Sequence, residues 1–256
     1  MKALLATLLL AAAVQPAQAG RNCEARQPAA DTVVRAMDLA GRTARALDAT
    51  GADVVVIARA GQDLRAYQLR YSHLGLAYRD GGVWRVMHKL NHCGGARADI
   101  YRQGLGEFFL DDLFEDQAGV AVPSPELQAR LLPLLRDNTR ATRLHEPSYS
   151  MLAYPWATRY QQSNQWAIET LALSQDPTAT SRERAQDWLH AQGYEPTTLK
   201  IGPLTRLGAR ATAANIAFDD HPNSKRFSDR IETVTADSVF TWLERAGLAA
   251  PLQVLR

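Results

Sequence analysis

Two histidines, His73 and His88, flank an Asp80-Gly81-Gly82 turn signal, and Ser163 stands at the head of a later helical pattern. An imidazole can take the proton of a hydroxyl during attack on a carbonyl, and a polar group on the next strand can hold that imidazole in place. The set therefore permits acyl transfer, with Ser163 as nucleophile, His73 as base and His88 as the orienting residue. A helix start at the serine would add backbone N–H groups and the positive end of the helix dipole for an oxyanion, with Gln162 and Asn164 as further donors. Each residue also has a plainer role open to it. Serine is a preferred N-cap, and both histidines suit hydrogen-bonded strand positions.

The elements that carry these residues follow from periodicity. Tyr71 to Tyr78 and Trp84 to Leu90 read as two strands of a hairpin. A two-residue turn at Asp80-Gly81 pairs positions whose numbers sum to 161, so that His73 faces His88 directly; a four-residue loop at 80 to 83 shifts the pairing but keeps both on one face. Gly75 and Ala77 share that face, while Leu74, Leu76 and Tyr78 point the other way. Small residues admit a close neighbour, so the helix beginning near Ser163 is expected to dock against the His73 face.

Around this hairpin the chain reads as a single α+β domain over 20–256, with a small, mainly antiparallel sheet and helices packed on it. Asp31 is expected to cap a helix with apolar positions Val33, Met37, Ala40, Ala44 and Leu47, stopped by Gly51. Asp53 to Arg59 is a β-branched run, apolar on both faces, and reads as a central strand. Residues 99–110 suit a connecting segment and a short helix. Ser124-Pro125 opens another helix, with Pro133 expected to kink it. The loop 149–160 carries Tyr154, Trp156 and Tyr160, which either line a substrate groove beside Ser163 or cover a core edge. Thr180 and Glu183 form a capping-box pair ahead of a helix ended by Gly193. The tail reads as strands at 197–201 and 213–218 and a last helix near 237–246.

Composition sets the compartment and excludes some partners. Lys2, the apolar run Leu4 to Val14 and Ala17-Gln18-Ala19 form a secretory signal over 1–19, so the protein is expected to be periplasmic or secreted. No later stretch is apolar enough to span a bilayer. The 29 basic residues nearly balance the 27 acidic ones, and no basic stripe points to nucleic acid. Export lets the only two cysteines, Cys23 and Cys93, form a disulfide; the alternative is Cys93 as a free nucleophile beside His88 or His92. The spacing of His88, His92 and Cys93 suits a helix better than the strand found there, so no metal and no cofactor are expected. Asp219-Asp220-His221-Pro222 reads as a proline-stopped polar turn, with cation binding as the alternative.

The order of parts, a run Asp53 to Ile57, then Tyr71-Ser72-His73-Leu74-Gly75-Leu76, then His88 and a hydroxyl residue at a helix start, resembles the circularly permuted branch of the papain-like fold. That branch includes permuted NlpC-type amidases and lecithin-retinol acyltransferase-like enzymes. The resemblance covers about 53–172 and leaves 173–256 as a C-terminal extension. It implies an exported amide or ester hydrolase, or an acyltransferase, acting on a cell-wall peptide or an acyl lipid. His73 matches the base, His88 the orienting residue, and Ser163 the place where the family keeps a cysteine. A cysteine is partly ionised near neutral pH, whereas serine needs a positioned base. A binding module that keeps the fold without the chemistry is the other reading. As a whole the chain resembles a secreted bacterial family labelled only as a domain of unknown function.

Overall fold

The computed structural model describes residues 27–110 and 113–256. Along the chain run helix α1 (Ala30–Ala49), strands β1 (Val54–Ala60), β2 (His73–Asp80), β3 (Val83–Asn91) and β4 (Ala98–Gly104), helix α2 (Leu105–Phe109) and strand β5 (Glu115–Ala121). Helices α3 (Pro125–Arg136), α4 (Asn138–Ala141), α5 (Ser163–Gln175) and α6 (Arg182–Ala191) follow, then strand β6 (Thr197–Lys200) and helices α7 (Pro203–Thr212) and α8 (Asn223–Arg226). Strand β7 (Arg230–Thr233), helix α9 (Ala236–Arg245) and strand β8 (Gln253–Leu255) end the order.

The β-branched run of β1 is buried along its whole length, as a strand apolar on both faces must be. It lies inside a six-stranded antiparallel sheet of order β4-β3-β2-β1-β5-β8, and β6 pairs antiparallel with β7 in a separate two-stranded sheet. Alternate residues of the sheet supply two cores. Val54, Val56, Leu74, Leu76 and Tyr78 pack with Leu131, Trp166, Leu171, Leu189 and Trp242 from α3, α5, α6 and α9. Val55, Ile57, Ala77 and Val86 pack on the other face with Leu39 and Leu47 of α1 and with Phe108 and Phe109 of α2. Each such fully buried side chain contributes roughly 1.5–3 kcal/mol relative to exposure.

The α+β class, the central strand and the antiparallel hairpin are as expected; several local readings are corrected. The hairpin turns on Gly81-Gly82, both at positive φ (57° and 84°), so Asp80 pairs with Val83. This is the register of the longer-loop alternative, and His88 is diagonal to His73 rather than opposite it. Helix α1 starts with Ala29 as N-cap, and Asp31 instead pairs with Arg35 at 2.8 Å. Its buried stripe is Ala36, Leu39, Ala40, Thr43 and Leu47, which leaves Met37 42% exposed. Residues 98–104 form the edge strand β4 rather than a connection, and 213–218 form no strand. Ser181, not Thr180, caps α6, while Ser124 caps α3 as read. Pro133 lies inside α3, which continues to Arg136. The signal segment 1–19 and Cys23, and with it the Cys23–Cys93 pairing, lie outside the described residues.

Gly75 has a specific structural reason. A Cβ there would lie 2.6 Å from Val86 Cγ1 and 3.4 Å from His88 Cβ. Its small size thus serves the neighbouring strand of its own sheet. Gly75→Ala is expected to lower stability by about 1–3 kcal/mol in urea unfolding, and Val86→Ala in the same chain should return much of that loss.

Candidate functional site

His73 and His88 meet on the α2 face of the sheet. His73 Nε2 lies 2.8 Å from His88 Nδ1, and His88 Nε2 lies 2.7 Å from Gln103 Oε1 on β4. Gln103 Nε2 donates in turn to Glu107 Oε1 on α2 at 2.9 Å. The chain has a direction. The Glu107 carboxylate accepts only, so it turns the Gln103 carbonyl toward His88, and His88 Nε2 must carry the hydrogen. His88 Nδ1 is then an acceptor, His73 Nε2 is the donor, and the basic lone pair of the His73 ring is on Nδ1. Phe108 closes the site from α2, its ring centroid 6.0 Å from His73 and 5.2 Å from His88.

Both rings are held neutral. Burial, then the Arg59 guanidinium beside them, keeps His73 well below the usual imidazole range and lowers His88 to about 3. Arg59 sits opposite His73 in the β1–β2 pairing and donates to the Phe108 carbonyl.

Helix α5 packs on the opposite face of the sheet, contrary to the expectation that it would dock over Gly75 and Ala77. Its first turn meets the backbone of β2 beside His73. The β2–β3 ladder runs no further than Leu76↔Met87, and beyond it Asn164 Oδ1 accepts the Leu74 N–H at 2.9 Å. Ser163 and His73 are the sequence neighbours of those two residues, but the His73 ring turns to the α2 face, against His88 and Phe108, while α5 lies on the other face. Among the described residues no hydrogen bond joins them. The Ser163 side chain instead meets the buried Tyr149 phenol, whose pKa burial raises and this hydrogen bond lowers.

Ser163 is not the cap of its helix. Gln162 is the N-cap, its Oε1 accepting from Asn164 N at 3.3 Å, while its Nε2 donates to Thr233 Oγ1 at 2.9 Å and to the Val234 carbonyl. Asn164 Nδ2 also points to the Val234 carbonyl, at 3.4 Å. Both amides expected as substrate donors are thus engaged in clamping the helix start to β2 and to the end of β7. Of the first-turn backbone N–H groups that could hold an oxyanion, that of Asn164 is taken by Gln162 Oε1, which leaves those of Ser163 and Gln165.

Twelve of the thirteen residues of α5 are buried, so its polar groups need internal partners. Glu169, fully buried, takes two hydrogen bonds from Arg182, at 2.8 and 3.0 Å, and one from Gln186 at 2.8 Å. Gln161 Nε2 donates to the same carboxylate at 2.5 Å, and Gln161 Oε1 accepts from Lys89 Nζ at 2.8 Å. Lys89, on the face of β3 away from His88, also donates to the Glu146 carbonyl, and burial lowers its pKa to about 7. The one signal for this network in the sequence is a lysine within an apolar strand. Gln103 and Glu107 carry a fainter one, an i, i+4 polar pair at a strand-to-helix junction.

The aromatic residues do not form one groove. The Tyr154 ring stacks near His221 (5.1 Å), and Trp156 lies against His190 (5.4 Å) and Tyr194 (6.0 Å), lining a cleft of about 280 Å³ with Thr158, Glu183, Gln186 and Asp187. Tyr160 lies under the Arg159 guanidinium. Asp219-Asp220-His221 is a structural joint: Arg159 pairs with Asp219 at 2.9 Å, and buried Asp220 holds His221 Nδ1 at 2.9 Å and Tyr154 N at 2.7 Å. Among the described residues no cluster of three metal-ligating side chains occurs.

Fold and site together define an α+β protein with a buried, directional imidazole pair at the open end of a hairpin. The chain belongs to the bacterial family described as "Uncharacterized protein conserved in bacteria (DUF2145)", which matches residues 46–243 and so includes His73, His88 and Ser163. No curated protein and no solved structure matches it.

Two expectations follow. Because His73, His88 and, through burial, His145 are depressed in the folded state, the unfolded chain binds more protons below its imidazole pKa of about 6.5, and stability falls with pH from there toward 3. The slope should approach about 1.4 kcal/mol per pH unit for each histidine. Urea unfolding between pH 7 and 5 should show a clearly flatter profile for His73→Gln/His88→Gln. Arg182→Leu strands a buried carboxylate and should cost about 3–5 kcal/mol, read by the same unfolding assay.

Proposed function

We propose that the protein is an exported hydrolase or acyltransferase of amide or ester bonds, with a permuted papain-like core and a serine in the nucleophile position. The observation that carries this reading is the direction of the proton chain. Glu107, Gln103 and His88 leave the His73 lone pair on Nδ1, the nitrogen a nucleophile would need. Two buried imidazoles ordered by Gln103 and Glu107 are a costly feature of a core, and such arrangements concentrate at functional sites.

In the proposed reaction Ser163 Oγ attacks the substrate carbonyl as His73 Nδ1 takes its proton, and His88 Nδ1 steadies the imidazolium by accepting from His73 Nε2. The remaining first-turn N–H groups of α5 and its dipole hold the tetrahedral oxyanion. Collapse expels the amine or alcohol, which takes the proton from His73, and leaves an acyl-serine for water or a second acceptor. Tyr149 must release Ser163 for this to occur, a tightening of apo geometry that substrate binding can drive. A cell-wall peptide or an acyl lipid suits the signal segment and the resemblance. Cys23 and Cys93 would be paired in that compartment.

A specific observation favours a second reading, a binding module without turnover: Ser163 is engaged by Tyr149 and both rings are poor bases at rest. A fluorophosphonate probe separates the two without a known substrate. The enzyme reading expects adduct formation at Ser163, located by mass spectrometry, slowed about 10²-fold or more by His73→Ala. Absence of an adduct at Ser163 under conditions that label ordinary serine hydrolases would leave the binding module standing.

A further inference from the structure

The three most exposed large apolar side chains among the described residues sit in one lobe: Leu204 (85%), Phe227 (73%) and Leu207 (67%). Leu204 and Leu207 are three residues apart on α7 and so share a side of it. The Arg206 guanidinium donates to the Arg226 carbonyl, tying α7 to α8, which Phe227 follows directly. Solvent-facing apolar groups of this size cost solubility unless something covers them.

The charges around them say what that cover is. Lys200 and Arg230, both exposed, are direct partners across the β6–β7 pair. Like charges opposite one another in a sheet destabilise it, and an anion bound between them removes the cost. The Arg226 guanidinium lies 5.4 Å from the Phe227 ring centroid. Nearby acids are largely turned away. Asp219 pairs with Arg159, Asp220 is buried against His221, and Glu232 is taken by Lys225, leaving exposed Asp229 as the acid of the 222–230 stretch. Exposed apolar groups on α7 and just after α8, with Lys200, Arg226 and Arg230 on the elements next to them in the chain, match the boundary of a bilayer with anionic headgroups.

We propose that the lobe formed by β6, α7, α8 and β7 docks on an anionic lipid surface. Leu204, Leu207 and Phe227 enter the headgroup boundary, and Lys200, Arg226 and Arg230 meet lipid phosphates. Through Gln162 and Thr233 this lobe is clamped to the start of α5, so a docked lobe would hold the Ser163 end of the molecule near the membrane.

Mature protein is mixed with phosphatidylglycerol/phosphatidylethanolamine vesicles or with pure phosphatidylcholine vesicles and sedimented. Binding is expected to the anionic vesicles alone and to fade in about 0.5 M salt. Lys200→Gln/Arg230→Gln should weaken it about 25-fold, at about fivefold per charge, and Leu204→Ser/Leu207→Ser at least tenfold, with unchanged thermal melts. If a variant does not fold, the wild-type salt and lipid dependence still decides. The proposal is overturned by no sedimentation with either vesicle, by equal binding to both, by binding that survives the salt, or by a folded Leu204→Ser/Leu207→Ser protein that binds as wild type. A dimer of the wild type that this double substitution disperses, without vesicle binding, assigns the face to a second copy and overturns it too.

Discussion

The burial of α5 constrains the rest of the molecule. A helix with no solvent face cannot leave its polar groups to water, yet this one carries Gln162, Asn164, Gln165 and Glu169 and is preceded by Gln161. Each draws partners from a different part of the chain. Glu169 draws Arg182 and Gln186 of α6, Gln161 draws Lys89 of β3 and the Leu144 carbonyl, and Gln162 draws the end of β7. Gln165 holds the Tyr154 and Pro155 carbonyls of the aromatic loop at 3.3 and 3.2 Å. Unsatisfied, such groups cost about 1–3 kcal/mol each, and more if charged. The helix therefore dictates where α6, the 144–161 segment and the β6–β7 pair must lie.

On the other side of the sheet a second polar chain runs from Glu107 through Gln103 and His88 to His73. The two systems are separated by the sheet itself, and the backbone of β2 runs between them where it outruns its pairing with β3. There Asn164 replaces a strand neighbour for Leu74. The low basicity of the rings at rest follows from the same burial, and a polar substrate or a shift of Tyr149 would change that environment.

The parts legible in the sequence are those with a strong local signal. The β-branched run 54–57 marks the central strand, Asp80-Gly81-Gly82 marks the hairpin though its turn lies one residue later than Asp80-Gly81, and period two keeps His73 and His88 on one face for any even-numbered loop. The docking face was misread because small residues announce a close neighbour without saying which; at Gly75 the neighbour is Val86 of the same sheet. Strand β4 is an edge strand with mostly polar residues and only one residue fully buried, so neither alternation nor β-branching betrays it, and Gln103 was hidden with it. Gln162 displaced Ser163 as cap because an amide can accept from the first turn and donate to β7 at once, a demand set by tertiary packing.

The central claim is that the His73 lone pair activates a nucleophile at the first turn of α5. It is tested most directly by placing a thiol there, Ser163→Cys, and following its alkylation by a haloacetamide against pH, with and without His73→Ala. The account predicts alkylation at neutral pH that is clearly faster with His73 than after His73→Ala, the neutral ring's Nδ1 taking the thiol proton as the S–C bond forms. A thiol whose rate profile does not respond to His73→Ala would contradict it.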